Sequence, residues 1–425
     1  MSTLSGRTGV LAILLMAGAL VNRAAAGSGG SAYSIVGIGD IRYAPGARAA
    51  GMGYAGLGLA APQYINGASP ATWFRIDRTR LEGSALYEGF NSTDGAGARY
   101  LARLDFHGAL LAIPIAPSEG IVFVGGFVPY SNVNYDTYTH GSYSRTGTDT
   151  VNLDYRLRHV GTGGLTKALV GFSWLPAPTV SVGASFNYMF GTLTSSIQQI
   201  PTQTGFSGGL VSNNQSTSGI SVTAGVLVNG LGGIAEALAP FSLGAVVTTR
   251  AKLNTTDDIN YEYTLERDTT GERRGSLAVP FTYGVGLGYQ ASERWTLAAD
   301  YTAQPWSQAD FEGSTPAGIR DSYRIAVGAE RTGSKDANAG WLDRVAYRLG
   351  FTYHQTYYIL NNTPINEWGV TAGMAFPLSG ESRLNVAGEY ARRGSTDNGL
   401  IRDSIFRLTF SLNISDLWFI RYEED

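Results

Sequence analysis

The sequence predicts an all-β fold: a 14-stranded antiparallel transmembrane β-barrel with an N-terminal hatch segment as its plug. Three observations predict it. Apolar and polar residues alternate with period two from Thr79 almost to the end of the chain. The connections between the alternating runs are short on one side and long on the other, the asymmetry of an outer-membrane barrel. The chain opens on an export signal, and no later apolar run reaches the roughly 18 residues a spanning helix needs.

Composition supports one large all-β unit. Among 425 residues there are 56 glycines and 24 tyrosines, charged residues make up only 15 %, and there is no cysteine. Disulfides and thiolate metal sites are therefore excluded. A formal charge of −3 gives no basic field for nucleic acid.

The elements follow in order. Arg7, the apolar stretch from Val10 to Val21 and the small residues Ala24, Ala25 and Ala26 fit a signal peptide over 1–26. A retained anchor is the alternative. Residues 27–78 are expected to hold a linker, as far as Tyr43, and then the hatch. From Ala44 to Trp73 the chain is small, glycine-rich and nearly uncharged, with neither helix nor strand period. A G-x-G-x-x-G at Gly51, Gly53 and Gly56 would suit a dinucleotide only between a strand and a helix. Pro45, Gly46, Gly58 and Pro62 exclude that setting, so the glycines are read as permitting compact irregular backbone.

The barrel is expected over 79–414, with a periplasmic tail over 415–425. Its runs are 79–90, 98–113, 119–131, 163–175, 179–195, 217–229, 240–252, 276–290, 293–303, 322–331, 343–354, 367–376, 382–393 and 403–414. In the cleanest, Leu277, Val279, Phe281, Tyr283, Val285, Leu287 and Tyr289 share one face. Pro114 to Ser118, Pro176 to Pro178, Ala291-Ser292 and Pro377 to Glu381 read as tight turns. The stretches 132–162, 196–216, 253–275, 304–321 and 355–366 read as long polar loops. Alternation alone also fits a secreted sandwich, propeller or adhesin. Aromatic residues near run ends, among them Phe127, Tyr188, Tyr289, Tyr301 and Tyr390, match the girdle of a membrane barrel.

Two segments then carry a family resemblance: Pro45-Gly46-Ala47-Arg48-Ala49-Ala50-Gly51-Met52-Gly53, and Asn66-Gly67-Ala68-Ser69-Pro70-Ala71-Thr72-Trp73. They resemble the N-terminal hatch of the FadL/TodX-type outer-membrane transporters, with Tyr54 for a glycine and Ser69 for the asparagine of an Asn-Pro-Ala motif. The tail Asp416 to Arg421 is also similar to that of relatives. The resemblance implies a bacterial outer-membrane channel for passive uptake of fatty acids or hydrocarbons. Ligand would enter among the loops and leave through a gap in the wall as the hatch shifts. Gly51, Met52, Gly53, Asn66, Ser69, Pro70 and Ala71 are then the hatch and gating residues. The partners expected are a hydrophobic small molecule and outer-membrane lipid. The alternative is a non-transporting barrel that docks proteins of a secretion system.

An apolar solute needs an aromatic and aliphatic capture site with few polar groups. Tyr130, Tyr135, Tyr138, Phe206, Trp306, Tyr357 and Tyr358 are the candidates, unless they only pack loop on loop. Charges expected on the lumen face include Glu82, Glu88, Arg103, Asp105, Asp300, Arg324, Arg344, Arg348 and Arg407. Their mixed signs suggest ion pairs that brace wall and plug rather than a selectivity ring. Catalysis finds no motif. His107, His140, His159 and His354 are scattered, with no metal-binding spacing and no G-x-S-x-G elbow, so no enzyme, metal or cofactor is expected.

Overall fold

Fourteen antiparallel strands, interrupted ones counted once, close into a ring in the computed structural model. It describes residues 27–416 except 44, 96, 146–150, 204–206, 264–266, 315–317 and 337. The expected signal peptide, Ala44, Phe206 and the tail from Leu417 on, with Trp418 and Phe419, lie outside the described residues. The first strands are β1 (Thr79–Thr93), β2 (Ala98–Ala116), β3 (Ile121–Pro129, resuming as Ser131–Arg145) and β4 (Val151–Ala177). Next come β5 (Val180–Pro201), β6 (Gly209–Asn229), β7 (Phe241–Thr248 and Ala251–Tyr263) and β8 (Arg267–Val279 and Thr282–Gln290). β9 (Trp295–Gln304), β10 (Ser322–Arg331), β11 (Ala346–Leu360), β12 (Thr363–Pro377), β13 (Arg383–Arg393) and β14 (Arg402–Asp416) complete the set. β14 pairs with β1 from Arg402↔Thr93 to Asp416↔Thr79, which closes the sheet on itself.

The pleat sorts the faces. In β14, Asp403, Ile405, Arg407, Thr409, Ser411 and Asn413 are buried inside, while Phe406, Leu412 and Ile414 are exposed outside. Ile325 and Val327 of β10 and Val170, Phe172 and Trp174 of β4 continue that outer apolar surface. Solvent-facing apolar side chains on every part of the wall are what a lipid-facing barrel requires. No helix among the described residues is long and apolar enough to cross a membrane.

Several expectations change. The stretches read as loops at 132–162, 196–216, 253–275 and 355–366 are largely strand, because β3 to β8 continue far past the apolar belt as a tall crest. Their Asn, Thr and Tyr content reflects strands standing in water. Only 304–321 stays mostly irregular, with a short 3-10 helix over Trp306–Gln308 and a two-residue strand at Asp310–Phe311. The run 276–290 is not one strand with one outer face. It breaks after Val279, so that Leu277 and Val279 are buried inside while Val285 and Leu287 face out. Pro280, which cannot donate to the ladder, sits at the break. Arg344 is not on a lumen-facing strand but in the short helix Trp341–Arg344, ahead of β11.

Val327 is 41 % exposed on the outer face of β10. Val327→Arg is expected to destabilise the barrel by about 2–4 kcal/mol if it sits near the bilayer midplane. Urea unfolding in lipid vesicles measures this; an unchanged midpoint would place that face away from lipid.

Candidate functional site in the barrel lumen

The wall has one breach. β2 pairs with β3 only from Ala109↔Phe127 to Ala116↔Ile121. Above that, β2 residues 98–108 pair with β1, and Ser131–Arg145 of β3 turns to β4. Among the described residues, no ladder joins these two upper edges. His107, skipped in the β1–β2 register, and Gly108 (φ +135°) mark the place where β2 departs.

The N-terminal residues fill the gap. Gly27 and Ser28 pair in parallel with Leu101 and Ala102 of β2. Asp40 and Ile41 pair antiparallel with Asn132 and Ser131 of β3. The Arg42 amide donates to the Tyr130 carbonyl (2.9 Å), and the Asn134 amide donates to Ser34 Oγ (3.0 Å). Gly39 has φ +85°, and a Cβ there would stand 2.3 Å from the Asn132 carbonyl oxygen, so the close approach needs glycine. The stretch expected as a linker is thus part of the wall.

Ion pairs clamp the same segment to the β10–β2 side of the lumen. Glu88 accepts from Arg42 (2.6 Å), Arg103 (2.6 Å) and Arg407 (2.8 Å). Arg407 also binds Glu367 (2.9 Å) and Glu389 (2.7 Å). Arg393 joins Glu367 (2.6 Å) to Asp40 (2.8 Å). Lower down, Glu330 bridges Arg48 and Arg348, each at 2.7 Å, and Arg348 donates to the Tyr64 hydroxyl (2.5 Å). Arg103 spans the breach itself by donating to Asn132 Oδ1. Buried charges are stable only when paired and hydrogen-bonded like this.

The upper lumen is apolar. Three strands break at matching height, after Pro129 in β3, after Thr248 in β7 and after Val279 in β8, and each turns apolar residues inward. Leu253, Leu277 and Val279 meet Tyr33, Ile38, Trp306, Tyr357, Tyr358 and Ile365 there. Trp306 stacks on Tyr357 with ring centroids 4.2 Å apart, and Tyr357 meets Tyr358 at 4.4 Å. The Tyr357 hydroxyl donates to the carbonyls of Val36 (2.9 Å) and Gly39 (2.7 Å). Below this cluster lies a cavity of about 210 Å³, bounded by the N-terminal segment and the inner faces of β4 to β9.

Of the sequence-derived ligand candidates, Tyr130, Trp306, Tyr357 and Tyr358 come together in the upper lumen. Tyr135 is buried on the crest, Tyr138 is exposed there, and neither belongs to the cluster. The hatch candidates sit against the wall. Gly53 (φ +62°) presses on the backbone of Phe351, and Met52 packs with Ala55, Leu59, Ala298 and Ala326. The Asn66 side chain donates to the Gly56 carbonyl (2.9 Å) and accepts from the Ala68 amide (2.9 Å). Ser69 is buried with its hydroxyl unpartnered, and it caps the 3-10 helix Pro70–Arg75. Ser181 Oγ donates to the Ala71 carbonyl (2.7 Å). Among the expected lumen charges, Glu82 accepts from Asn413 (3.3 Å), Asp105 pairs with Arg103 (3.0 Å), and Asp300 accepts from the amides of Gly56 and Leu57. Arg324 lies over the Tyr43 ring at 4.1 Å. Sequence reasoning missed Asp40, Arg42, Glu367, Arg393 and Lys167. The first two lay in the expected linker, and Lys167 was an ordinary member of a strand run. Among the described residues, no cluster of His, Asp or Glu is placed to hold a metal ion.

Wall and lumen together define a class: closed membrane-type β-barrels that carry their own N-terminal segment inside. The model of the BamG family matches residues 7–424, and the chain belongs to that family. Among solved structures it is similar to a Pseudomonas aeruginosa FadL homologue, with 14 % identity over 88 % of this chain and 98 % of that one, at a TM-score of 0.57. The CymD monoaromatic hydrocarbon channel gives 14 % over 88 % and 98 %, with a TM-score of 0.55. The toluene transporter TodX of Pseudomonas putida gives 15 % over 89 % and 99 %, with a TM-score of 0.53. At such identities the likeness is one of fold, and the FadL/TodX resemblance holds at that level. No curated protein sequence matches the chain.

Arg407 serves three carboxylates at once. Arg407→Met is expected to cost about 3–5 kcal/mol, because it leaves buried charge uncompensated. The exposed Arg156→Ala should stay within about 0.5 kcal/mol of the parent. Urea titration of both variants in vesicles checks the contrast.

Proposed function

We propose that the protein is a passive channel of the bacterial outer membrane for apolar small molecules of the fatty-acid or hydrocarbon type, and not an enzyme. The observation that carries this reading is the breach between β2 and β3, closed by residues 27–42 rather than by a strand ladder and lying beside an apolar upper lumen. Aromatic and aliphatic side chains at the wet end give a solute somewhere to leave water. Displacing the N-terminal segment then opens a sideways route toward lipid, where Leu104 and Phe106 of β2 face outward, 71 % and 57 % exposed. Residues 44–78, which hold the rest of the lumen, act as the hatch. The neighbours described as a hydrocarbon channel and a toluene transporter support this reading by fold.

A second reading, a docking barrel for proteins of a secretion system, is favoured by the crest. Tyr143, Ile197 and Tyr263 stand exposed on it, and exposed apolar groups above a barrel mouth suit a protein partner.

The absence of cysteine makes one experiment clean. Ile41 and Ser131 are direct partners across the seal, so the pair Ile41→Cys and Ser131→Cys can lock it. Liposomes carrying the oxidised variant should lose flux of toluene or a fatty acid, and reduction should restore it. A docking barrel shows no solute-dependent flux in either state.

A further inference from the structure

Lys167 stands apart from the other cations of the lumen. It is one of three lysines in the chain, with Lys252 and Lys335. It lines the cavity below the apolar cluster, between Val128 of β3 and Met189 of β5 in the strand register. The arginines of the clamp each hold a carboxylate within 4 Å; among the described residues Lys167 holds none. Its nearest recorded partner is the Tyr130 ring, 5.5 Å from Nζ.

The cavity's own carboxylates are engaged elsewhere. Glu82 accepts from Asn413, and Asp300 Oδ2 takes the amides of Gly56 (2.7 Å) and Leu57 (2.9 Å). Asp300 Oδ1 is left unpartnered. The remaining cation without an ion pair, Arg324, is spread over the rings of Tyr43 (4.1 Å) and Tyr54 (5.5 Å). A lone ammonium in an enclosed lumen is costly unless an anion joins it. Apolar groups that bound the same space, Ile41, Tyr130, Met189 and Val279, also touch the upper cluster.

We propose that this cavity binds a small amphiphile with a single carboxylate, its head on Lys167 and its body against those apolar groups. Size restricts the class. A cavity of about 210 Å³ is on the scale that accepts one aromatic ring or a short aliphatic chain, an engineered void of about 150 Å³ being enough for benzene. The inference rests on the channel reading and names its preferred solute.

Calorimetry on the full barrel in nanodiscs, with octanoate and its uncharged counterpart octanol, tests it. The parent should bind octanoate at least tenfold tighter than octanol. Lys167→Met should abolish that preference while keeping octanol affinity, and Lys167→Arg should retain it. Equal affinities in the parent, or an unchanged preference in Lys167→Met, would overturn the inference and leave the channel intact. Binding of neither solute would overturn both. Outer-surface exposure of the barrel, read by electrophoretic mobility before and after heating, confirms that each variant is folded.

Discussion

A sheet that crosses a membrane cannot leave an edge open, because each unpaired amide or carbonyl in hydrocarbon costs several kcal/mol. This barrel breaks that requirement at one place and repairs it with its own chain. The upper halves of β2 and β3 part company at Gly108 and Pro129, and residues 27–42 run between them, pairing with β2 at one end and with β3 at the other. Everything else in the lumen follows from holding that inserted piece in position. Unlike a covalent or continuous strand neighbour, it is joined by two-residue ladders and side-chain bonds, which can be exchanged without unfolding the barrel.

The lumen divides accordingly. On the β10–β2 side, arginines and carboxylates from five strands converge on Asp40, Arg42, Arg48 and Tyr54 of the inserted segment. On the β4–β9 side there is no comparable clamp but a cavity lined by small hydroxyl and amide side chains such as Ser185, Asn187, Ser221 and Thr223. Breaks in β3, β7 and β8 then carry apolar groups inward at the top. One side anchors the segment, and the other gives a solute room beside it. That asymmetry is a consequence of where the strands interrupt their alternation, since continuous strands would have kept those leucines and valines facing outward.

Much of the wall was legible in the sequence because lipid outside and a polar or small interior impose period two without relief. Phe406, Leu412 and Ile414 against Arg407, Thr409 and Asn413 show how directly the pattern translates. The crest was not legible: a strand wetted on both sides loses the contrast that makes it visible, so 253–275 read as loop although β7 and β8 pair through most of it. The inward turn of Leu277 and Val279 hid inside a flawless alternation, with Pro280 as its one signal. Glu88, Arg348 and Arg407 could be chosen as lumen charges from strand parity alone. Their partners Asp40, Arg42 and Arg48 could not, because the placement of an irregular segment against a wall hundreds of residues away leaves no periodic trace.

Hydrogen exchange on the barrel in nanodiscs tests the sealed breach most directly, read at the amides of Arg42 and Asn134, which bond to Tyr130 and Ser34 across it. The account predicts strong protection at both in the resting protein, lost together when an apolar solute is added, while amides in β10 stay protected throughout. Exchange at both sites as fast as in an unstructured tail, with or without solute, would show that the wall is not completed by its own N-terminal chain.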